Sequence, residues 1–382
     1  MTRKKPGVPS LLRELNDSAA LTHIMRVGSA TRAELAEHTG LSRVTCSQVI
    51  ARLEGLGLVR SEGRRSGARG PAAELYAVAP GVGTAVGLAV TPETVRADLC
   101  SLDGQVLASS EVRGGHAVAD FVKAVERVVA QADESYGPVL AAVVATPGVV
   151  DPVSGELMFS YDFPEMAQLR ALVEEQIEIP VTLGNDMHLA ALAELHEGVA
   201  QGRYVDFVLL WVGHGLGMAS VIDGEVRVGS TGAAGEVGYL PVPGVPLRSV
   251  EENLDKGSFQ RLVGAAAVED LAAEFGVDLA RAHESREFVA ELGRRISLGV
   301  AAIATIQDPA LVVLAGETVE RIGQPLAEAV AAETPKIVPV QLHIELSMLG
   351  TDGPSGVLAC RRWNAPRNWC WPACAEQRLR RR

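Results

Sequence analysis

After residue 80 the sequence runs twice through the same plan of elements, and this repeat narrows the fold more than any other feature. AVGLAV, TVRADLCSL and QVLASSEV are three strand-like runs, the last two meeting across Asp103-Gly104. DFVLLWVG, GMASVI and EVRVGS are three more, the last two meeting across Asp223-Gly224. Asp-Gly suits the positive φ that a two-residue hairpin turn requires. Each trio is followed, after helical material, by an apolar strand that runs into a glycine: LAAVVATPGVV and PALVVLAGETV. Two tandem β-β-β-α-β units predict an α/β body of two similar lobes, residues 81–199 and 200–359, the second returning to the first. A cleft between lobes is the usual place for a ligand.

The 382 residues exceed one ordinary core and predict two or three domains. Hydrophobic residues at 47% and charged residues at 21% are normal for a folded chain, which excludes a largely disordered one. No apolar run reaches membrane-spanning length and none of signal-peptide type follows the basic MTRKKPG start, so a cytoplasmic protein is expected. Five cysteines, three of them in the last 23 residues, exclude a disulfide framework through the body. The net charge of −12 is unevenly spread. Basic residues outnumber acidic ones in residues 1–80 and again in 360–382, and the middle is strongly acidic. A basic head on an acidic body points to a polyanion as partner of the head.

The head, residues 1–80, reads as a winged helix-turn-helix. Leu11, Leu12, Leu15, Leu21, Ile24 and Met25 predict one broad apolar helix face that ends at Gly28. Thr31 and Glu34 form a capping box for a short helix stopped by Gly40. Ser42 caps a third helix in which Cys46, Val49, Ile50 and Leu53 make a buried stripe. Thr45, Gln48 and Arg52 are expected on the opposite side to face bases, with Ser42 and Arg43 at the N-terminal end near phosphate. Two strand-like stretches, LVRSE and AELYAV, then flank a glycine-rich loop. Its Arg64, Arg65 and Arg69 suit phosphate or a narrow minor groove.

The body resembles the ROK (repressor, ORF, kinase) family of sugar kinases and sugar-responsive repressors. The resemblance rests on TPGVVDPVSGEL, LGNDMHLAALAELHEG, WVGHGLGMASVIDGEVRVGSTGAAGEVGYLPV and ISLGVAAIATIQDPALVVLAG, in that order. It implies the duplicated, two-lobed ribonuclease H-like/actin-like fold behind a MarR-like winged helix. It also implies that Asn185 and Asp186 hold a sugar, with Asp186 in the place of the kinases' general base, and that Glu236 touches the same ligand. Asn185 offers a donor and an acceptor to a hydroxyl-rich ligand; the plain alternative for Asn-Asp after a strand is a helix cap. Tyr239 stands where the family has a zinc-ligating His, and PVPGVPLRSVEENLDKG follows without the family's cysteines. No metal and no cofactor are therefore expected. Glu251, or Glu252, matches the acid that closes that motif.

Active family members carry an Asp, two glycines and a Thr or Ser between the first two strands, for phosphate and Mg²⁺. This chain has Ala89, Val90, Thr91, Pro92 and Glu93 there. Proline has no N–H to offer and Glu93 would repel phosphate. The resemblance thus implies a dimeric regulator, by family habit a repressor, that binds operator DNA and a sugar or sugar phosphate without turnover. Two other readings fit the sequence. One is a sugar kinase with an accessory DNA-binding head. The other is a ligand-independent dimeric DNA-binding protein. The tail 360–382, with Cys370, Cys374 and a terminal Arg cluster, is expected to be disordered and to add nonspecific DNA affinity, or to have no selected structure.

Overall fold

The computed structural model describes residues 9–350, apart from 66–71, 92, 103, 115–116, 161–165, 167 and 247–256. The first element, α1 (Pro9–Val27), ends at Gly28 with φ near +80°. β1 (Ser29–Thr31) leads into α2 (Arg32–Thr39), where both bonds of the Thr31/Glu34 capping box form. Gly40 closes α2 in the left-handed conformation, as the turn of a helix-turn-helix needs. Ser42 caps α3 (Arg43–Gly55) by accepting from the Thr45 N–H. β2 (Val59–Arg65) and β3 (Ala73–Val78) form the wing, and β3 also pairs with β1.

In the first lobe β4 (Thr84–Val90), β5 (Thr94–Ser101) and β6 (Val106–Arg113) make an antiparallel meander covered by α4 (Val118–Val129). β7 (Val139–Thr146) joins β4 in parallel; the small hairpin β8 (Val149–Val150) and β9 (Leu157–Phe159) follows it. After α5 (Leu169–Ile177), β10 (Val181–Asn185) joins β7 in parallel and passes into α6 (Asp186–His196). The sheet order is β10-β7-β4-β5-β6.

The second lobe repeats this order. β11 (Phe207–Val212), β12 (Leu216–Ile222) and β13 (Glu225–Val226) form its meander, with Asp223 and Gly224 both at positive φ in the turn. α7 (Gln260–Val263), α8 (Ala265–Glu274) and α9 (Arg286–Gln307) follow. β14 (Leu311–Ala315) pairs with β11 in parallel; α10 (Glu317–Ile322) and α11 (Gln324–Ile337) precede β15 (His343–Leu346), which pairs with β14 in parallel. The sheet order β13-β12-β11-β14-β15 is the first sheet's plan again, so the duplication is real.

Three corrections to the sequence reading concern the elements. Only Glu225–Val226 of EVRVGS is strand. Beyond it the chain turns away at Gly229 and Gly232, both at positive φ, and Gly232 comes so close to the Val150 carbonyl that a Cβ could not fit. The face expected on α1 is not uniformly buried: Leu21 and Ile24 are in the core, whereas Leu12 and Leu15 are exposed. The third correction concerns Arg52, described below.

The head's core does not stop at residue 80. Ile24, Leu35, Ile50, Leu53 and Tyr76 share one buried cluster with Val82 and with Leu140 of β7. Within the body, Glu194 of α6 is buried and accepts from the Ser347 hydroxyl at 2.5 Å and the Val199 N–H at 2.9 Å. Burial pushes its carboxyl above the usual carboxylate range, and those donors oppose the shift. The helix that begins at Asp186 is thereby tied to the end of β15.

Candidate functional site

β10 delivers Asn185 to the carboxyl edge of the first sheet, level with Thr146 at the end of β7. The Asn185 side chain performs two tasks. Its Oδ1 accepts the His188 N–H at 3.0 Å as the N-cap of α6, and its Nδ2 donates to the Gly148 carbonyl at 2.9 Å. The cap alternative for the Asn-Asp pair is thus present, and it fixes the side chain rather than disposing of it. Asp186 follows as the first residue of the helix, half-buried, with Oδ1 accepting its own Met187 N–H at 2.9 Å.

The loop carrying Glu236 comes from the second lobe. Gly232 lies against the Val150 carbonyl, and Gly235 lies against the Met218 carbonyl. One stretch thus bridges β8 of the first lobe and β12 of the second, which a side chain at either glycine would prevent. His188 completes the link: its Nε2 faces the Ala234 carbonyl at 3.4 Å. That acceptor requires an Nε2–H, and burial lowers the imidazole's pKa, which favours the neutral ring, while the bond to Ala234 opposes the shift. Glu236 is half-buried, and burial holds its carboxyl above the usual carboxylate range. Tyr239 ends the short 3-10 turn Val237–Tyr239, and its N–H donates to the Glu236 carbonyl at 3.2 Å. The contacts of Gly232 and of Ala234 thus bring the loop that leads to Glu236 against β8 and against the first turn of α6, which Asn185 and Asp186 begin; Glu251 and Glu252 lie outside the described residues. Sequence reasoning missed His188. Its position one helical turn after Asn185, in NDMH, was the available signal.

The turn between β4 and β5 uses its own amides. Thr91 Oγ1 accepts the N–H of Glu93 at 3.3 Å and of Thr94 at 3.0 Å, and the Thr91 N–H donates to the Thr94 carbonyl at 2.9 Å. Donors so engaged are withdrawn from any anion. On the second lobe a cleft of about 200 Å³ lies among Gly213, His214, Glu269, Glu317, Thr318 and Arg321. The Glu317 carboxylate fills the space where Gly213 would carry a Cβ, so this end of the cleft already holds an anion. Among the described residues no cluster of three or more His, Cys, Asp or Glu side chains offers a metal site. The cysteine-free stretch at 247–256 is not among them.

In the head, Cys46, Val49, Ile50 and Leu53 are buried as a stripe along α3. Arg43 and Gln48 are exposed, as are Arg64 and Arg65 at the end of the wing strand; Arg69 lies outside the described residues. Arg65 is paired with Glu34. Thr45 is half-buried, its hydroxyl 2.8 Å from that of Ser42. Arg52 is half-exposed and already paired. Its Nε donates to Asp17 Oδ2 at 3.0 Å and its Nη2 to Oδ1 at 2.5 Å, which fastens α3 to α1. At about 100° per residue, Thr45 and Arg52 fall on the flank of α3, not opposite its buried stripe. The outward line is Val44, Ser47, Gln48 and Ala51, all exposed.

The chain matches the family model described as the ROK family over residues 85–349 and the one described as the MarR family over residues 14–70. It is 22% identical to the xylose repressor of Caldicellulosiruptor bescii over 81% of this chain and 84% of that one. It is 23% identical to the DNA-binding transcriptional dual regulator NagC of Escherichia coli, over 82% of this chain and 83% of that one. Among solved structures, a ROK family transcriptional regulator described as a homolog of the E. coli MLC protein superposes with a TM-score of 0.77, at 18% identity, over 96% of this chain and 99% of that one. A ROK family glucokinase from Streptomyces griseus, in complex with glucose and AMPPNP, matches with a TM-score of 0.57, at 21% identity, over 73% of this chain and 98% of that one.

Proposed function

The chain belongs to the ROK family, and from that premise we propose that it is a transcription regulator whose winged helix binds operator DNA and whose body binds a sugar or sugar phosphate without phosphorylating it. The observation that carries this reading is β7. Leu140, near its start, lies in the head's buried core, and the Gly148 carbonyl just beyond its end holds Asn185. Eight strand residues, about 26 Å of extended chain, run from the DNA-binding module to the hydroxyl-binding pair. The relatives named as repressors and regulators cover four-fifths of the chain, and the winged-helix family model matches the head over residues 14–70, in keeping with this.

In the mechanism, sugar hydroxyls take the place of water at Asn185, Asp186 and Glu236. Asp186 accepts from a hydroxyl. Asn185 keeps its bond to Gly148 and so holds the end of β7 against the ligand. Glu236 and the 228–236 loop draw in from the second lobe, with neutral His188 and the Ala234 carbonyl as the joint. Two heads of a homodimer bind a pseudo-palindromic operator, and closure of the lobes alters their spacing. Arg43, Arg64, Arg65 and Arg69 lie against backbone or minor groove, and Ser42 presents the N-terminus of α3 to phosphate. Loss of phosphoryl transfer rests on the β4–β5 turn, whose amides serve Thr91, and on the Glu317 carboxylate at Gly213.

The test is a thermal-shift screen of the full chain against monosaccharides, their phosphates and ATP. A sugar that raises the melting temperature, with the effect lost in Asp186→Ala, is the expected result. ADP formation in a coupled assay, dependent on Asp186, would overturn the regulator reading in favour of a kinase.

A further inference from the structure

The outward line of α3 has a composition that selects among base pairs. Val44, Ser47, Gln48 and Ala51 recur at i, i+3, i+4 and i+7, opposite the buried stripe. Val44 is 69% exposed. A lone exposed valine needs no explanation in general, and valine is a poor helix former, so the helix does not require it there. The groups around it narrow what it can meet. Ser47 donates its hydroxyl to the Arg43 carbonyl at 3.0 Å, leaving only acceptor capacity outward. Arg52, the cationic side chain in the last turn of the helix, is held on Asp17. Arg43 stands at the first helical position, where a side chain leans toward the N-terminal end and the phosphate backbone.

What remains for the floor of a major groove is a branched apolar group and a primary amide one helical turn apart. The thymine C5-methyl is the apolar feature in that groove, and the N6/N7 edge of adenine matches an amide bidentately. One turn of helix, about 5.4 Å, spans roughly two base pairs. Resting on the reading that the head binds operator DNA, we propose that Val44 and Gln48 read A·T pairs within two steps of each other, Val44 on a thymine methyl and Gln48 on an adenine edge. Arg52 sets no base preference.

The experiment is selection of binding sites by the full chain from a random double-stranded library, followed by gel shift on the enriched duplex. Each thymine in the half-site is then replaced by deoxyuridine, which removes only the methyl. At one thymine the wild type should lose about threefold to fivefold in affinity, the value of one buried methyl group. Val44→Ser, at an exposed position, should bind the thymine and deoxyuridine duplexes equally. Gln48→Ala should lose its preference for adenine at a position within two base pairs. G·C pairs at these positions, or deoxyuridine effects that are absent in the wild type or unchanged in Val44→Ser, overturn the base assignment while the regulator reading stands. A library from which no sequence is enriched removes that reading and the inference with it.

Discussion

Asp17 is 6% exposed and meets two nitrogens of Arg52, so a variant without the guanidinium leaves a carboxylate between α1 and α3 with no counter-charge. Arg52→Ala should therefore destabilise the chain by about 2 kcal/mol, the usual scale for a charge-assisted bond whose partner stays buried. Urea unfolding with a midpoint equal to wild type would show that the pair carries no such load. Glu236 makes the opposite prediction. Burial raises its carboxyl pKa in the folded chain, so the protonated form is the one that folding favours. Its unfavourable contribution is absent below the unfolded carboxylate pKa and grows as pH rises through the raised folded value. Glu236→Gln should thus melt with wild type near pH 4 and above it at pH 7, by a few degrees on the usual scale. A difference in melting temperature that does not change with pH would contradict the assignment.

At the scale of elements, glycines mark where two backbones or a backbone and a ring come together. Gly299 of α9 sits on the ring of Phe259, and a Cβ there would fall 2.1 Å from the ring. Phe259 is fully buried and cannot swing aside, so Gly299→Ala should cost about 2–3 kcal/mol through overpacking. Gly215 has nothing within 4 Å of a built Cβ, and Gly215→Ala is the matched control that should leave stability within about 0.5 kcal/mol. Equal melting temperatures for the two variants would mean that α9 moves off Phe259 without cost. α6 shows how one element serves two places. Asn185 caps its start, and Glu194, in its last turn, accepts from Ser347 after β15.

For the whole molecule, the prediction concerns the joint between head and body. Leu140 is the residue of β7 that enters the head's core. Leu140→Ala should lower stability by about 3 kcal/mol, within the range for a buried leucine. More tellingly, it should reduce the factor by which an effector sugar changes DNA affinity. Linkage requires DNA to change the sugar's affinity by the same factor, so the coupling can be read from either side. Titrations that give the wild-type factor in Leu140→Ala would remove β7 from the route between the sites. Leu140→Met, which keeps the volume, separates loss of packing from loss of the residue itself.

Periodicity and turn chemistry were enough to read the duplicated lobes, the capping box at Thr31 and Glu34, the Gly40 turn and the buried stripe of α3, because each depends on residues within a few positions of one another. The same holds for the Asn185 cap and for Asp186 beside it. What local sequence could not decide was the fate of side chains whose partners are distant in the chain. Arg52 looked available until α1 brought Asp17 to it from 35 residues away. Leu12 and Leu15 looked buried until packing left their part of α1 uncovered. His188 had no visible task until the Ala234 carbonyl arrived from the second lobe. Helical spacing determines which side chains share a face; only the tertiary structure decides which neighbour that face meets, because burial and ion pairing depend on contacts that the spacing does not encode.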